Sequence, residues 1–445
     1  MDKTLIHLLK AQRMTIIKDF SNFGNFYRNL TTPVLYEHII NNNEGTIAHD
    51  GQIIIQNDGP HTGRSTSEVY IVFENDDNVY WDGVIQPIEK RKFQILLQYL
   101  QTYLKNINIY IFEGYAGIDN CHQIPIRIIT EMAWHNLFAQ NMFRSLQCGN
   151  DYFTVINAPN FFPKLSFIKS KIIIVLDLQK YLAVVCGAKY GGEIKNAIFT
   201  AISYYLPKKG LLTLHSSANY GINKDDTTIF IGLSGSGKTT LSIEPKRNLI
   251  EDDVHVWGSD GIFTLERGCY ASALGINVDS HPIIYEATTK FGTILENVTY
   301  DRNRLPNFDD DSITKNTCSC FPISFVKHFD HKGIGGNPKN IIFLAIDFLG
   351  VLPPVSMLNR EQAIYFFLNG YTTKMEGTEG SVVKNMPTFS SCFGAPFMPL
   401  HPVVYANMLN EKIEQYKPKI WMLNTGWVGE KKKQVIEYNY HIQDV

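Results

Sequence analysis

The strongest constraint on this chain is a glycine-rich segment at residues 232–239 with the sequence Gly-Leu-Ser-Gly-Ser-Gly-Lys-Thr. It directly follows an apolar, β-branched run at residues 227–231, which predicts a buried strand. A strand that leads into this pattern is typical of loops that bind nucleotide phosphates at the start of a helix. We therefore predict a strand, a phosphate-binding loop and a helix, in that order.

The residue types in this loop match the chemistry of phosphate binding. Glycines allow a turn tight enough for successive backbone N–H groups to face phosphate oxygens, and Lys238 adds a positive charge. A plain glycine-rich turn would explain the glycines but not the Lys-Thr-Thr that follows them. Pro245 limits the helix to about two turns, which is unlike an ordinary doubly wound nucleotidase. The predicted nucleotide contacts are Ser234, Gly235, Ser236, Gly237, Lys238, Thr239 and Thr240.

The composition excludes several classes of partner. A net charge of -2, from 41 basic and 43 acidic side chains, gives no overall field for nucleic acid or an acidic membrane surface. No segment reaches the roughly 18 apolar residues of a membrane span. The seven scattered cysteines are odd in number, which favours reduced thiols. We expect a soluble, cytoplasmic protein with a small-molecule nucleotide as ligand and neither membrane nor nucleic acid as partner.

Periodicity gives a coarse map of the remaining chain. Residues 1–60 suit strands and turns, and the glycine- and threonine-rich residues 370–381 suit a mobile lid. An acidic pair, Asp252 and Asp253, follows the apolar Leu249 and Ile250, which is where a magnesium-binding carboxylate is expected. Helices are predicted at residues 87–105 and 128–143 and before Pro207, and strands at residues 107–112, 171–176, 211–218 and 340–347.

Eight motifs together resemble the ATP-dependent phosphoenolpyruvate carboxykinase family in identity and order, from about residue 59 to residue 427. They are residues 62–65, 190–193, 215–219, 232–242, 252–253, 350–356, 388–394 and 424–427. The resemblance implies an α/β, two-domain fold, with an N-terminal domain at residues 1–210 and a nucleotide-binding domain at residues 211–445. It implies ATP, Mg²⁺ and a second, manganese-type cation (Mn²⁺) in the cleft between them.

The resemblance also implies a role for individual residues. Lys238 would bind the β- and γ-phosphates, Thr239 would hold Mg²⁺, and Asp252 would organise metal-bound water. The second cation would bind His215 and Asp253. The remaining implied roles are acceptor binding by Arg64 and Tyr190, a pocket wall from Phe393, catalysis by Arg64 and Lys195, and a nucleotide contact from Lys433.

Without the context of the motifs, these residues have simpler explanations, and those remain open. A histidine on an apolar strand, such as His215, is more often a hydrogen-bonded core residue. Arg64 alone could be a surface cation, and the acidic pair a helix cap.

Several positions depart from the family pattern. Asn196 stands where the family has a second lysine that binds the cation, although its amide oxygen could still bind metal. Cys318 stands where an arginine bridges the γ-phosphate and the acceptor, and Ser272 and Lys433 also replace basic residues of the family. The family continues with a further C-terminal segment beyond the position of Val445.

Three functions follow from this mixture of kept and lost residues. The leading hypothesis is ATP-dependent phosphoryl transfer to an acceptor other than oxaloacetate, either a protein or a metabolite. The alternative is a working carboxykinase that converts oxaloacetate and ATP to phosphoenolpyruvate, CO₂ and ADP. The third is a non-catalytic, nucleotide-binding interaction protein.

Overall fold

Three β-sheets organise the computed structural model. The structure describes residues 24–57, 62–73, 78–81, 83–118, 122–145, 152–168, 170–374, 386–428 and 433–434. The side chains of residues 66, 427, 428, 433 and 434 lie outside that description.

Short and medium-length helices connect and cover the sheets. None of the described helices is long and apolar enough to cross a bilayer. They are α1 (Thr32–Asn41), α2 (Lys90–Leu104), α3 (Ala133–Met142), α4 (Gly192–Tyr205), α5 (Lys238–Ser242), α6 (Pro282–Thr288), α7 (Arg360–Asn369) and α8 (Pro402–Tyr416).

The strands divide into a group before residue 187 and a group after residue 211. The first group is β1 (Phe26–Arg28), β2 (Thr46–Ile47), β3 (Ile53–Ile55), β4 (Val69–Phe73), β5 (Gln86–Glu89), β6 (Ile109–Ala116), β7 (Ile124–Thr130), β8 (Arg144–Ser145), β9 (Phe153–Ala158), β10 (Ile173–Asp177) and β11 (Leu182–Cys186). The second group begins with β12 (Leu212–Tyr220), β13 (Thr227–Ile231), β14 (Asn248–Glu251), β15 (Val254–Trp257), β16 (Ile262–Thr264), β17 (Gly268–Ser272), β18 (Ile294–Glu296), β19 (Thr299–Tyr300) and β20 (Pro306–Asn307). It ends with β21 (Cys318–Pro322), β22 (Asn340–Ala345), β23 (Val355–Met357), β24 (Tyr371–Lys374), β25 (Met386–Phe389), β26 (Lys419–Asn424), β27 (Trp427–Val428) and β28 (Lys433–Gln434).

The first sheet is buried on both faces. Its strands run in the order β1-β6-β7-β9-β11-β10-β4-β5, with β8 paired to β6. Successive side chains of a strand point to opposite faces, so Ile173 and Val175 pack with α2 while Ile174 and Leu176 face α3 and α4. This double burial explains why β10 reads as a continuous apolar run.

The second sheet carries the glycine-rich loop. Its order is β16-β15-β12-β13-β22-β26-β23, with β14 also paired to β12. Ile231, at the end of β13, pairs with Ser216, while the preceding His215 pairs with Val254 on β15. The loop that starts at Gly232, the imidazole of His215 and the acidic pair before Val254 are therefore brought together by strand register.

A third sheet joins distant parts of the chain in the order β17-β21-β18-β3-β2. Ile53–Ile55 runs parallel to Ile294–Glu296, with Ile55 opposite Glu296. This pairing brings an early segment beside strands that lie more than 200 residues later in the sequence. The predicted domain boundary between residues 210 and 211 stays a prediction.

The structure corrects two predicted elements. Residues 124–130, part of which was assigned to the helix at 128–143, form β7 between β6 and β9, and the helix begins only at Ala133. That helix is not amphipathic, because α3 contacts strands of the first and third sheets and is buried nearly all round. Residues 1–60 contain a helix, α1, which starts with Pro33 in its first turn.

Other predictions lie close to the observed elements. Helix α2 and strands β6, β10, β12 and β22 fall within or beside the predicted ranges, and α4 ends just before Pro207. The five described cysteines are free and buried, in agreement with the predicted thiols; they are Cys186, Cys269, Cys318, Cys320 and Cys392. Most of the proposed lid, residues 375–381, lies outside the described residues.

A matched pair of glycines tests how the end of α7 is fixed. Gly370 caps α7 at φ 55°, and a Cβ there would lie 1.8 Å from the Ser390 carbonyl oxygen. Gly210 has φ 76° but nothing within 4 Å of its Cβ position. Gly210→Ala should cost about 1 kcal/mol of unfolding free energy through backbone strain, and Gly370→Ala about 1–3 kcal/mol more through overlap. Chemical denaturation measures both, and equal losses would contradict this packing.

Candidate active site

The centre of the site is a buried carboxylate, Asp253, in contact with three basic side chains. Lys195 Nζ lies 2.7 Å from its Oδ2 atom. His215 Nε2 and Lys238 Nζ lie 3.0 and 3.3 Å from its Oδ1 atom. Burial raises the pKa of Asp253, but the charges of Lys195 and Lys238 outweigh burial and hold it well below its usual range. The carboxylate is therefore ionised at neutral pH.

His215 is held as a neutral imidazole of one orientation. Its Nδ1 atom lies 2.9 Å from the Phe393 carbonyl oxygen, which can only accept, so Nδ1 carries the proton. Burial, followed by the charge of Lys238, lowers the pKa of His215 to about 4. The Nε2 lone pair therefore faces Lys238, whose Nζ atom is 3.3 Å away.

Lys195 connects Asp253 with a second acidic residue. Its Nζ atom lies 3.2 Å from Glu266 Oε2. Burial lowers the pKa of Lys195, but Asp253 and Glu266 outweigh burial and raise it above its ordinary value. Burial raises the pKa of Glu266 to about 7, and also raises that of Glu251, whose Oε2 atom accepts from the Asp253 N–H. Lys195 thus carries a fixed positive charge inside the site.

The glycine-rich segment has the backbone that its sequence predicts. Gly235 and Gly237 adopt φ of 80° and 94°, and α5 begins directly afterwards at Lys238. Lys238 Nζ donates to the Gly232 carbonyl at 2.9 Å, so the lysine folds back over the loop. The helix ends at Ser242 before Pro245, as expected.

The two carboxylates of the acidic pair, Asp252 and Asp253, make different contacts. Asp252 Oδ1 accepts from the Thr239 hydroxyl, and its Oδ2 atom accepts from the Tyr270 N–H at 3.2 Å. Burial, together with the charge of Asp253, raises the pKa of Asp252. Thr239 and Asp252 thus form one hydrogen-bonded pair, and Asp253 faces the basic side chains.

The donor set fits a divalent cation. His215 Nε2 and Asp253 Oδ1 converge on one positive charge, the Lys238 ammonium, and a neutral imidazole with a carboxylate suits a borderline metal. No cluster of three or more His, Cys, Asp or Glu side chains suited to a metal occurs among the described residues. The side chains would thus supply only part of a coordination shell, and water or phosphate would supply the rest.

Arg64 lies on the other side of these groups. Its guanidinium stacks over the Phe397 ring at 5.0 Å. Burial raises the pKa of Tyr190, and the charge of Arg64 opposes that shift and also acts on Lys195, His215 and Lys238. The next residue, Ser65, donates its N–H to Glu193 Oε1 at 2.6 Å. The buried Glu193 therefore anchors the Arg64 segment to helix α4.

For three predicted site residues the described contacts do not show the predicted role. Asn196 donates to Glu193 Oε2 at 3.3 Å and, with Arg64, lines a small pocket; its described hydrogen bonds do not include His215 or Asp253. The Phe393 ring packs against Phe343 in the core, and it is the Phe393 carbonyl that faces the site. Lys433 lies in β28, but its side chain is outside the described part of the chain. Their predicted roles stay predictions.

Sequence reasoning missed several residues that surround this site. Tyr270 and Glu296 are brought there by strand pairing and Glu266 by the connection between β16 and β17, and nothing in their local sequence marks them. Glu251 directly precedes the acidic pair, and Glu193 and Asn316 lie in or beside the family motifs, so their place in the sequence was the available signal. Cys318 lies opposite Glu296 in the β18–β21 register, beside the tyrosines rather than beside Asp253.

Comparisons with known proteins agree with this geometry. The profile of the phosphoenolpyruvate carboxykinase family matches residues 24–442. The phosphoenolpyruvate carboxykinase (ATP) of Caldanaerobacter subterraneus is 44% identical over 433 residues, which cover 95% of this chain and 81% of the relative. That of Thermus thermophilus is 42% identical over 90% of this chain and 78% of the relative, and that of Geotalea uraniireducens 44% over 92% and 79%.

These matches confirm the α/β fold class and the family that the motifs predicted. The match extends well beyond the motifs on both sides, and it includes the segments that hold Asn196 and Cys318. The chain therefore belongs to the ATP-dependent phosphoenolpyruvate carboxykinase family.

Proposed function

We propose that this protein is a working ATP-dependent phosphoenolpyruvate carboxykinase that converts oxaloacetate and ATP to phosphoenolpyruvate, CO₂ and ADP. The observation that carries the proposal is the convergence of Arg64, Lys195 and Lys238 around His215 and Asp253. Three cations at one buried site suit the two anions that must meet there, a dicarboxylate and a triphosphate.

The hypothesis of a kinase for another acceptor is wrong. Relatives that are 42–44% identical over 90–95% of the chain carry the name phosphoenolpyruvate carboxykinase (ATP), which favours the alternative reading. The kinase hypothesis rested on neutral residues at positions 196 and 318. It gave these two losses more weight than the cations that the sequence keeps, Arg64, Lys195 and Lys238.

Folding supplies positive charge without those two positions. Lys195 is buried and kept charged by Asp253 and Glu266, so it needs no exposed surface to remain protonated. Arg64 reaches the same region from the β3–β4 connection, held by Glu193. The acceptor would therefore meet Arg64 and Lys195 in place of the missing arginine and second lysine.

The reaction breaks the bond between C3 and the departing carboxylate of oxaloacetate and leaves the electron pair as an enolate. The enolate oxygen attacks the γ-phosphorus of ATP, and the bond to ADP breaks. No side chain has to accept a proton in this sequence, so orientation and charge stabilisation dominate. Lys238 and the loop N–H groups would hold the triphosphate, while Arg64 and Tyr190 would orient the acceptor.

The family uses ATP and a divalent cation such as Mg²⁺ or Mn²⁺, as the resemblance implies. Thr239 with Asp252, and His215 with Asp253, are the side-chain pairs that would hold the cations. A bound cation would neutralise charge on the phosphates and on the enolate oxygen. Asn196 would bind a cation only after giving up its present hydrogen bond with Glu193.

Replacing the loop lysine tests nucleotide binding and turnover together. Wild-type protein should form phosphoenolpyruvate from oxaloacetate and ATP at roughly 1–10³ per second. Lys238→Ala should reduce turnover at least about 10³-fold, because a cation clamp on the transferred phosphate is lost. Calorimetric ATP binding and product formation are the measurements. Lys327→Ala, at a side chain that is 69% exposed, is the control and should match wild type. Equal ATP binding in wild type and Lys238→Ala would refute the loop assignment.

Restoring charge on the acceptor side tests the departures from the family. Cys318→Arg combined with Asn196→Lys should raise kcat/KM for oxaloacetate by about tenfold, since one charge-assisted hydrogen bond contributes roughly 1.5–3 kcal/mol. Steady-state kinetics measure the change. Cys318→Met, which adds volume without charge, is the matched control. A similar gain in Cys318→Met would show that packing rather than charge limits the wild type.

A further inference from the structure

A buried carboxyl group, Glu296, lies on the acceptor side of the site and takes no part in the chemistry described above. Its side chain is inaccessible to solvent. The Tyr270 hydroxyl donates to its Oε1 atom at 2.7 Å. Asn57 Nδ2 and the Gly191 N–H donate to its Oε2 atom at 3.2 and 3.4 Å. Three donors from three separate parts of the chain therefore meet on one carboxyl group.

Strand register places this carboxyl group behind the two tyrosines. Glu296 lies opposite Cys318 across the β18–β21 pair, and Tyr270 is on β17, the next strand beyond β21. The rings of Tyr190 and Tyr270 are 5.8 Å apart between centroids. Gly191, which donates to Glu296, directly follows Tyr190. The carboxyl group thus bonds to the phenol of Tyr270 and to the backbone N–H that follows Tyr190, and these two tyrosines border the proposed acceptor position.

The hydrogen bonds of Glu296 depend on whether it carries a proton. As a carboxylate it only accepts, and the Tyr270 proton is then directed towards Oε1. As a neutral acid its proton belongs on Oε1, because Oε2 already accepts from Asn57 and Gly191. The acid then donates to the Tyr270 oxygen, and the phenolic proton of Tyr270 is released to donate elsewhere.

We propose that Glu296 is a positioning residue for the acceptor, which acts through Tyr270: when Glu296 is protonated, their hydrogen bond reverses and Tyr270 donates to an acceptor carboxylate. This inference rests on the proposed function, because it names oxaloacetate, a dicarboxylate, as the group that Tyr270 would meet. A phenol donor behind Cys318 would supply a hydrogen bond where a guanidinium is missing.

The surroundings of Glu296 favour the neutral acid more strongly than water would around an exposed carboxyl group. Burial raises the pKa of Glu296 to about 7, although Tyr270, Gly191 and Asn57 oppose the shift by donating to it. Its titratable neighbours on β17, β21 and the turn before α4 are Tyr270, Cys318, Cys320 and Tyr190. From the segment that follows β3 it receives a hydrogen bond from the amide of Asn57. Among the described cations, Arg64 acts on Cys318 and Tyr190, and Lys195 lies 5.7 Å from the Tyr270 ring centroid.

The sign of the linkage follows from charge. An ionised Glu296 repels a dicarboxylate and keeps the Tyr270 proton, so the protonated form binds the acceptor better. Binding should therefore take up a proton near neutral pH, and affinity should fall as the pH rises above about 7. With one proton involved, the fall is limited to about tenfold per pH unit.

The test uses oxalate, a stable dicarboxylate, in calorimetric titrations of the full chain with Mg²⁺ between pH 6.5 and 8.5. Wild-type affinity should decrease with pH, and buffers of different ionisation enthalpy should reveal proton uptake. Glu296→Gln should bind oxalate with little dependence on pH, because its amide NH₂ donates to Tyr270 permanently. Tyr270→Phe should bind oxalate about tenfold more weakly than wild type already at pH 6.5, since a hydrogen bond to a charged group is lost.

The matched control is Glu131→Gln, in a second tyrosine–glutamate pair where Tyr103 donates to Glu131 at 2.8 Å. It should keep the wild-type pH dependence. The inference is overturned if Glu296→Gln retains that dependence, if Tyr270→Phe binds as tightly as wild type at pH 6.5, or if wild type fails to bind oxalate at pH 6.5. Tyr270→Phe decides the matter if Glu296→Gln does not fold. The test does not depend on turnover of oxaloacetate. Wild type that binds oxalate as expected but forms no phosphoenolpyruvate would contradict only the proposed function.

Discussion

The ionised Asp253 side chain is the interaction on which the rest of the site depends. A buried carboxylate is stable only if opposite charge and hydrogen bonds replace the water that it loses. Lys195 on helix α4 and Lys238 at the start of helix α5 meet this need. These two helices must therefore keep their relative position, which fixes the glycine-rich loop relative to helix α4. Removing one member of a buried ion pair typically costs about 3–5 kcal/mol, so structure and chemistry are constrained by the same contacts.

The proposed acceptor side is stabilised by different interactions. Around Tyr190, Tyr270 and Cys318 the structure offers hydroxyl and thiol groups and a buried carboxyl, with Arg64 as the cation whose charge reaches them. The third sheet makes this possible, because its β3–β18 pairing brings Asn57 to Glu296. The phosphate side is thus stabilised by fixed charges, and the acceptor side by hydrogen bonds whose direction depends on one proton.

Local pattern predicted much of the secondary structure but failed where tertiary contacts decide. The apolar run at residues 171–176 predicts a strand correctly, since double burial in a sheet requires apolar residues on both faces. The run that ends in Phe143 also looks helical, yet its first part pairs as β7 because two neighbouring strands are available there. The functional prediction failed for a different reason. It weighed the neutral residues at 196 and 318 more heavily than Lys195 and Arg64, whose charges both act within the site.

The sequence by itself determined the glycine-rich loop, the family and the identity of His215, Lys238, Thr239, Asp252 and Asp253 as neighbours of one site. The loop was predictable because glycine at positive φ, a following lysine and a strand before them are local requirements that leave local signals. His215, Asp252 and Asp253 were assigned through the resemblance of their motifs to the family. Tertiary structure alone decided the surroundings: that Lys195 is shared by Asp253 and Glu266, that the Phe393 carbonyl orients His215, and that Glu296 lies behind Tyr270. Those contacts join residues from 26 to 178 positions apart, and their energies depend on burial and distance, neither of which is encoded in any short stretch of sequence.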